Sequence, residues 1–289
     1  MGVTWESSGY KSLHDYVCSK IGDSKEQFYL FFDEIQDVEG WEKTVNSLRV
    51  KFNADIYITG SNSKMLSSEL STHLTGRYVE FVVQPFSFAE FKQLDDKYTF
   101  DEYLQHGGMP FLHSINFEPQ ESKKYLKDVF NSILLKDVVK RNKIRDVDLL
   151  ERIVNYVLSN VGKQFSATSI SNFFKQEKRI VAPETILNYL KACEEAFLFN
   201  RLTYQDVIGK KVLKVNEKYY VVDHGFREAV SGSNIKNQEI VLENVVCLEL
   251  IRRGYEVKVG RSGDGYKEID FVCESDGEKL YVQVCYIAT

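Results

Sequence analysis

Phe28-Tyr29-Leu30-Phe31-Phe32-Asp33-Glu34 is the stretch on which the fold turns. Five consecutive apolar residues run directly into two carboxylates. The run has the length of a strand, and its lack of alternation predicts burial on both faces, as in a parallel sheet. The C-terminal end of such a strand is where ligands bind in open α/β sheets. An acid there can hold the Mg²⁺ of a nucleotide, usually through water, and a second can orient the attacking water. A strand that simply ends in an acidic loop is the alternative on these seven residues alone.

The neighbouring segments favour the sheet. Residues 11–21 have apolar Leu13, Tyr16, Val17 and Ile21 at helical spacing, and Trp41–Phe52 repeats the pattern with Trp41, Val45 and Leu48. A further helix is expected over 65–74, and β-rich runs stand at 54–60 and 79–83. Apolar strands alternating with helices predict a parallel α/β sheet. The second strand ends in Thr59-Gly60-Ser61-Asn62-Ser63, so a polar side chain at its tip could face the γ-phosphate and the water. Thr75-Gly76-Arg77-Tyr78 then places an arginine before the next run. Arginine stabilises charge on a transferring phosphoryl group.

Read together, FYLFFDEIQDVEGWEKTVNSLR from Phe28 and DIYITGSNSKMLSSELSTHLTGRYVEFVVQPFSFAEF from Asp55 resemble a prokaryotic AAA-type ATPase family, and the resemblance runs over nearly all 289 residues. It implies Walker B roles for Asp33, as the Mg²⁺ residue, and Glu34, as the catalytic one. It implies a sensor role for the tip from Thr59 to Asn62, with Asn62 the best single choice and Thr59 and Ser61 facing the nucleotide. Arg77 is a candidate arginine finger, with a structural ion pair as the alternative. Mg²⁺ and ATP are the cofactors that the full-length family implies. The family's phosphate loop, G-x-x-x-x-G-K-[ST], is absent: Gly162-Lys163 is followed by Gln164 and Gly209-Lys210 by Lys211. The 27 residues before Phe28 are too few for a βαβ unit of about 30 or more. The chain is therefore expected to begin inside the ATPase domain and not to bind nucleotide tightly by itself.

The rest of the chain reads as three further domains. Residues 96–145 turn helical around Gly107-Gly108-Met109-Pro110, in the place of a helical lid. Residues 146–233 give helices at about 147–160, 167–174 and 183–196, then β-rich runs at 199–204 and 218–222, which is the plan of a winged helix. Its third helix carries Glu184, Glu194 and Glu195 against Lys191, a poor match to phosphate. Basic residues gather instead at Lys175, Lys178, Arg179, Lys210, Lys211 and Lys214. A protein partner and DNA both stand as readings of this domain. Residues 234–289 resemble the restriction-endonuclease-like fold, with a helix over 239–253 ended by Gly254, strands at 255–259, 268–273 and 280–286, and an Asp276-Gly277 turn. Glu243 and Asp270 fit two acidic positions, but the third reads Gln283-Val284-Cys285 and offers neither carboxylate nor lysine. The site is read as degenerate, and the chain ends three residues after Tyr286, before the further elements such a fold needs. The fold class expected is α/β: a partial AAA-type parallel sheet over 1–95, then lid, winged helix and degenerate nuclease-like domain.

A net charge of −5 and a pI near 5.7 give no overall support to nucleic-acid binding. Cys18, Cys193, Cys247, Cys273 and Cys285 form no C-x-x-C pair, which predicts free, mostly buried thiols rather than a zinc site or disulfides. No apolar run reaches the roughly 18–20 residues of a membrane helix, and none marks a signal segment, so the protein is expected to be cytoplasmic. A homo-oligomer is a further candidate assembly. A non-enzymatic binding module is the competing reading of the whole.

Overall fold

Leu13 and Val17, one helical turn apart, are both buried, and they set the inner face of α1 (Tyr10–Ile21). The computed structural model describes residues 10–62, 76–206, 212–232, 234–261 and 267–286, in two compact units that divide between Val82 and Val83. In the first unit β1 (Phe28–Phe32) pairs in parallel with β2 (Ala54–Ile58), with Phe32 opposite Ile58. Between them α2 (Trp41–Lys51) buries Trp41, Val45 and Leu48. These three, with Leu13, Val17, Ile35, Val38 and Phe52, form the core on which Leu30, Phe32, Ile56 and Ile58 rest. Burial of a leucine such as Leu48 contributes about 1.5–3 kcal/mol.

Two expectations need correction here. The strands are not buried on both faces: burial alternates along each, and Tyr29, Phe31 and Tyr57 are 58%, 73% and 50% exposed. Period-two geometry sends these aromatics to the face away from α1 and α2, where Phe31 and Tyr57 stack at 4.9 Å. Residues 79–83 form no strand; Val79, Phe81, Val82 and Val83 are all exposed. β-propensity is realised only against a neighbour, and no described strand pairs with this run. The helix expected at 65–74 lies outside the described residues, as do Lys210, Lys211 and the side chain of Lys214.

In the second unit α3 (Phe88–Leu94) and α4 (Phe100–His106) each open in a capping box, Ser87 with Glu90 and Thr99 with Glu102. Then come α5 (Phe111–Ser114) and α6 (Pro119–Ser132), which continues as a π-helical stretch over Ile133–Lys140. Three amphipathic helices follow at the expected places: α7 (Val147–Ser159), α8 (Ala167–Gln176) and α9 (Pro183–Glu195). β3 (Phe199–Asp206) and β4 (Val212–Val221) form an antiparallel hairpin. α10 (His224–Ser231), absent from the sequence reading, leads to α11 (Gln238–Arg252), β5 (Glu256–Arg261), β6 (Glu268–Ser275) and β7 (Glu278–Val282). Tyr204 of β3 pairs in parallel with Val259 of β5, giving one sheet in the order β4-β3-β5-β6-β7. The hairpin and the C-terminal strands thus share a sheet across the expected boundary at 233/234. The cysteines are free; Cys193, Cys247 and Cys273 are buried, Cys18 is half-buried and Cys285 is exposed.

α10 enters the core through a buried polar junction. Asp223 accepts the N–H groups of Gly108 and Gly225, both at 2.7 Å. A Cβ on Gly107, whose φ is +85°, would lie 2.0 Å from the Asp223 carboxylate, which is why this turn needs glycine. His224 Nε2 meets the Tyr103 carbonyl at 2.6 Å, and Asn234 links Arg227 to the carbonyls of Leu104 and His224.

Burial, which outweighs the two N–H donors, raises Asp223 from 3.8 to about 7. Its folded state keeps a proton that the unfolded chain loses, so this contribution to stability fades as pH rises from about 4 to about 7. Burial lowers His224 from 6.5 to about 4, so its contribution fades as pH falls through that range. Between about pH 4 and 6.5 the two slopes oppose. His224→Gln, whose amide N–H can still donate to Tyr103, should expose the Asp223 slope. Urea unfolding should show the variant losing stability relative to the parent by on the order of 1 kcal/mol per pH unit from about pH 4.5 to 6.5. Parallel pH profiles for parent and variant would contradict this.

Candidate functional site

The parallel register of β1 and β2 sets the tips of the two strands side by side. The chain leaves β1 through exposed Asp33 and Glu34 and dives back at Ile35, which is 2% exposed. Glu34 takes the left-handed conformation, φ 50° and ψ 42°, before the short 3₁₀ turn Ile35–Asp37. A non-glycine residue there is strained and of interest at a candidate site. Burial of Ile35 holds the turn and leaves both carboxylates in solvent.

Thr59, first residue past β2, ties the tips together. Its N–H donates to the Phe32 carbonyl at 2.9 Å, its hydroxyl donates to Asp33 Oδ1, and its Oγ accepts the Glu34 N–H at 3.1 Å. Ser61 Oγ donates to Glu34 Oε2 at 3.2 Å, and Gln36 donates to the same oxygen. Asn62 is buried. Asp33, Glu34, Thr59 and Ser61 are therefore one hydrogen-bonded group with Asn62 next to it in the chain. Arg77 is exposed, and no described contact brings it to this group.

The donor set, two exposed carboxylates beside two hydroxyls, fits a hard cation that prefers oxygen and keeps water. It supplies none of the backbone cradle that a phosphate chain requires.

In the second unit Gln283 meets Asp270, while Glu243 meets residues that the sequence reading passed over. Lys218 of β4, its side chain 5% exposed, reaches Glu243 at 3.2 Å and Glu268 at 2.9 Å. Tyr220 donates to Glu243 at 2.6 Å and Tyr204 to Glu268 at 3.2 Å. Gln283 Nε2 and the Val284 N–H both donate to Asp270 Oδ2 at 2.7 Å. Burial alone would lower the Lys218 ammonium; the Glu243 and Glu268 carboxylates more than reverse this and hold it above its ordinary range. The signal available in sequence was Glu268-x-Asp270, which puts two acids on one face of β6. Nothing in sequence announced that the cation would come from β4. Among the described residues no cluster of three His, Cys, Asp or Glu side chains could hold a metal ion.

Of the basic residues near α8, Arg179 is committed to Asp146 at 2.7 Å and Asp148 at 2.6 Å, while Lys175 and Lys178 are exposed. The outward residues of α9 include Glu184, Leu187, Asn188 and Lys191. No described helix is long and apolar enough to cross a membrane.

A parallel α/β unit with an acidic and a polar strand tip is the class of structure in which AAA domains fall, and residues 5–92 match the family model of an AAA domain. Residues 97–238 match a domain of unknown function, DUF8612. An uncharacterized protein of Haemophilus influenzae is 40% identical over 295 residues, covering 98% of this chain and 72% of that protein. The uncharacterized protein MJ1544 of Methanocaldococcus jannaschii is 33% identical over 279 residues, covering 89% of this chain and 60% of its own length. The chain belongs to the family of these proteins, with an AAA domain at its N-terminal end.

Thr59→Val should remove the bridge without altering burial. The loss expected is about 0.5–1.5 kcal/mol in the first unit, with clearly faster amide exchange at Glu34. Unchanged exchange at Glu34 would show that the Thr59 hydroxyl does not hold the tip.

Proposed function

We propose that in the whole protein the tips of β1 and β2 form the metal and γ-phosphate side of an ATP-hydrolysing site. The observation that carries this is the Thr59 hydroxyl standing between Asp33 and the Glu34 N–H, in a unit that matches an AAA domain. Asp33 would hold Mg²⁺, and Glu34 would orient the attacking water. Thr59 and Ser61 keep the two carboxylates apart and pointed, and Asn62 would sense the γ-phosphate. Mg²⁺-bound ATP supplies the phosphoryl group. Arg77, exposed and unattached to this group, suits a finger offered to a neighbouring copy in a homo-oligomer. The reading places the protein in the cytoplasm, where ATP is available.

The 289 residues hold no phosphate loop, and most nucleotide affinity in such sites comes from that cradle. Calorimetry on this chain should show no saturable Mg²⁺–ATP binding below about millimolar concentration; micromolar affinity would contradict the assignment of the tips as one side of a divided site. Joined to a segment that carries the loop, Glu34→Gln should abolish turnover and keep ATP bound. Retained turnover would remove Glu34 from the water-orienting role.

The second unit is read as a binding platform. α7, α8, α9 and the β3–β4 hairpin follow the order of a winged helix. The exposed side of α9 offers Lys191 against Glu184, with Leu187 between, and Arg179 is already paired. That surface favours a protein partner over DNA, since phosphate neutralisation supplies most non-specific DNA affinity. α11 and β5–β7 follow the plan of a nuclease-like domain whose hydrolytic site is degenerate. Its Asp270 is held by an amide and a backbone N–H, where metal-assisted hydrolysis needs a carboxylate cage open to a divalent ion. Plasmid and single-stranded substrates with Mg²⁺ or Mn²⁺ should stay uncut. Cleavage by the parent that Asp270→Ala abolishes would establish an active nuclease.

A further inference from the structure

Glu243 of α11 and Glu268 of β6 meet at Lys218, and Asp270 stands two residues further along the same face of β6; each has partners within the protein. Glu243 receives Lys218 and Tyr220; Glu268 receives Lys218 and Tyr204; Asp270 receives Gln283 and the Val284 N–H. Lys218 and Tyr220 are alternate residues of β4 and so share one face of that strand. Gly162 backs the cage, with φ +72° and a would-be Cβ 3.0 Å from Glu243 Oε1, so the α7–α8 connection also closes on it.

We propose that the Lys218 ammonium is a built-in cation which takes the position a divalent metal would occupy between Glu243 and Glu268, making this cluster a permanently filled, metal-free joint between the hairpin and the C-terminal elements. The chemistry on each side fits. Lys218 is buried, while Glu243 is half-buried and Glu268 lies at the surface. Without the ammonium the two carboxylates would repel each other, and its three donors can serve both acids. Lys218 is drawn from the opposite end of the sheet order to β6 and β7, so the pairing holds the five strands and α11 in one register. Gln283 completes the arrangement. As an amide it donates to Asp270, where a carboxylate would repel it and call for a metal.

The joint predicts a specific exchange of one cation for another. In the full chain, Lys218→Met should leave Glu243 and Glu268 facing each other uncompensated. The midpoint of thermal unfolding should fall by roughly 6 °C or more. Millimolar Mn²⁺ should restore part of that loss in Lys218→Met, and the restoration should vanish when Glu243→Gln is added. The parent should show no Mn²⁺ effect that depends on Glu243. Should Lys218→Met fail to fold, the triple variant Lys218→Met/Glu243→Gln/Glu268→Gln removes all three charges together and is expected to fold, with a midpoint nearer the parent than that of either partial variant. The proposal is overturned by an unchanged midpoint in Lys218→Met, by a loss that Mn²⁺ does not restore, by Glu243-dependent Mn²⁺ binding in the parent, or by a triple variant that folds no better than Lys218→Met.

Discussion

The first unit depends on the parallel pairing of β1 with β2, which places Phe32 opposite Ile58 and so sets Asp33 and Thr59 side by side. Everything at the candidate site follows from that register. A slip of one residue would send Leu30 and Phe32 to solvent and turn Tyr29 and Phe31 into the core. The core beneath, with Trp41 and Leu48, fixes which face goes inward. Burial of Ile35 then folds the chain back after Glu34, and the two carboxylates are left at the rim with Thr59 and Ser61 to hold them.

The second unit uses buried polar and ionisable groups where the first uses exposed carboxylates. Asp223 and His224 are locked into the start of α10 by backbone groups of the Gly107–Gly108 turn and of Tyr103. Lys218 is locked between acids from α11 and β6. Such groups add little net stability over an apolar core, but removal of one partner is expensive, so they fix which elements meet. Together these two junctions join the helical segment, the hairpin and the last three strands around one sheet.

Helices with clean apolar spacing, such as α7, α8 and α9, were legible in sequence to within a few residues, as were β1, β2 and the Asp276-Gly277 turn, where both residues have positive φ. Local pattern is enough for such elements. α10 was hidden because its buried face includes His224 and Arg227, polar residues whose partners lie far along the chain. The run at 79–83 has the composition of a strand and lacks a described neighbour to pair with. At the candidate site the residues of β1 and β2 could be named from sequence because strand tips are set by the strands themselves. Lys218 could not, since it meets Glu243 and Glu268 only through the joining of β3 to β5.

The central claim is that this chain offers an open cation position at the tips of β1 and β2, while the carboxylates of α11 and β6 are already filled. Paramagnetic broadening of backbone amide signals during Mn²⁺ titration of the parent chain tests it most directly. The account predicts that the signals of Asp33, Glu34, Thr59 and Ser61 fade first, with those around Glu243, Glu268 and Asp270 unaffected at the same Mn²⁺ concentration. Broadening centred on Glu243, Glu268 and Asp270, with the β1 and β2 tips untouched, would contradict it.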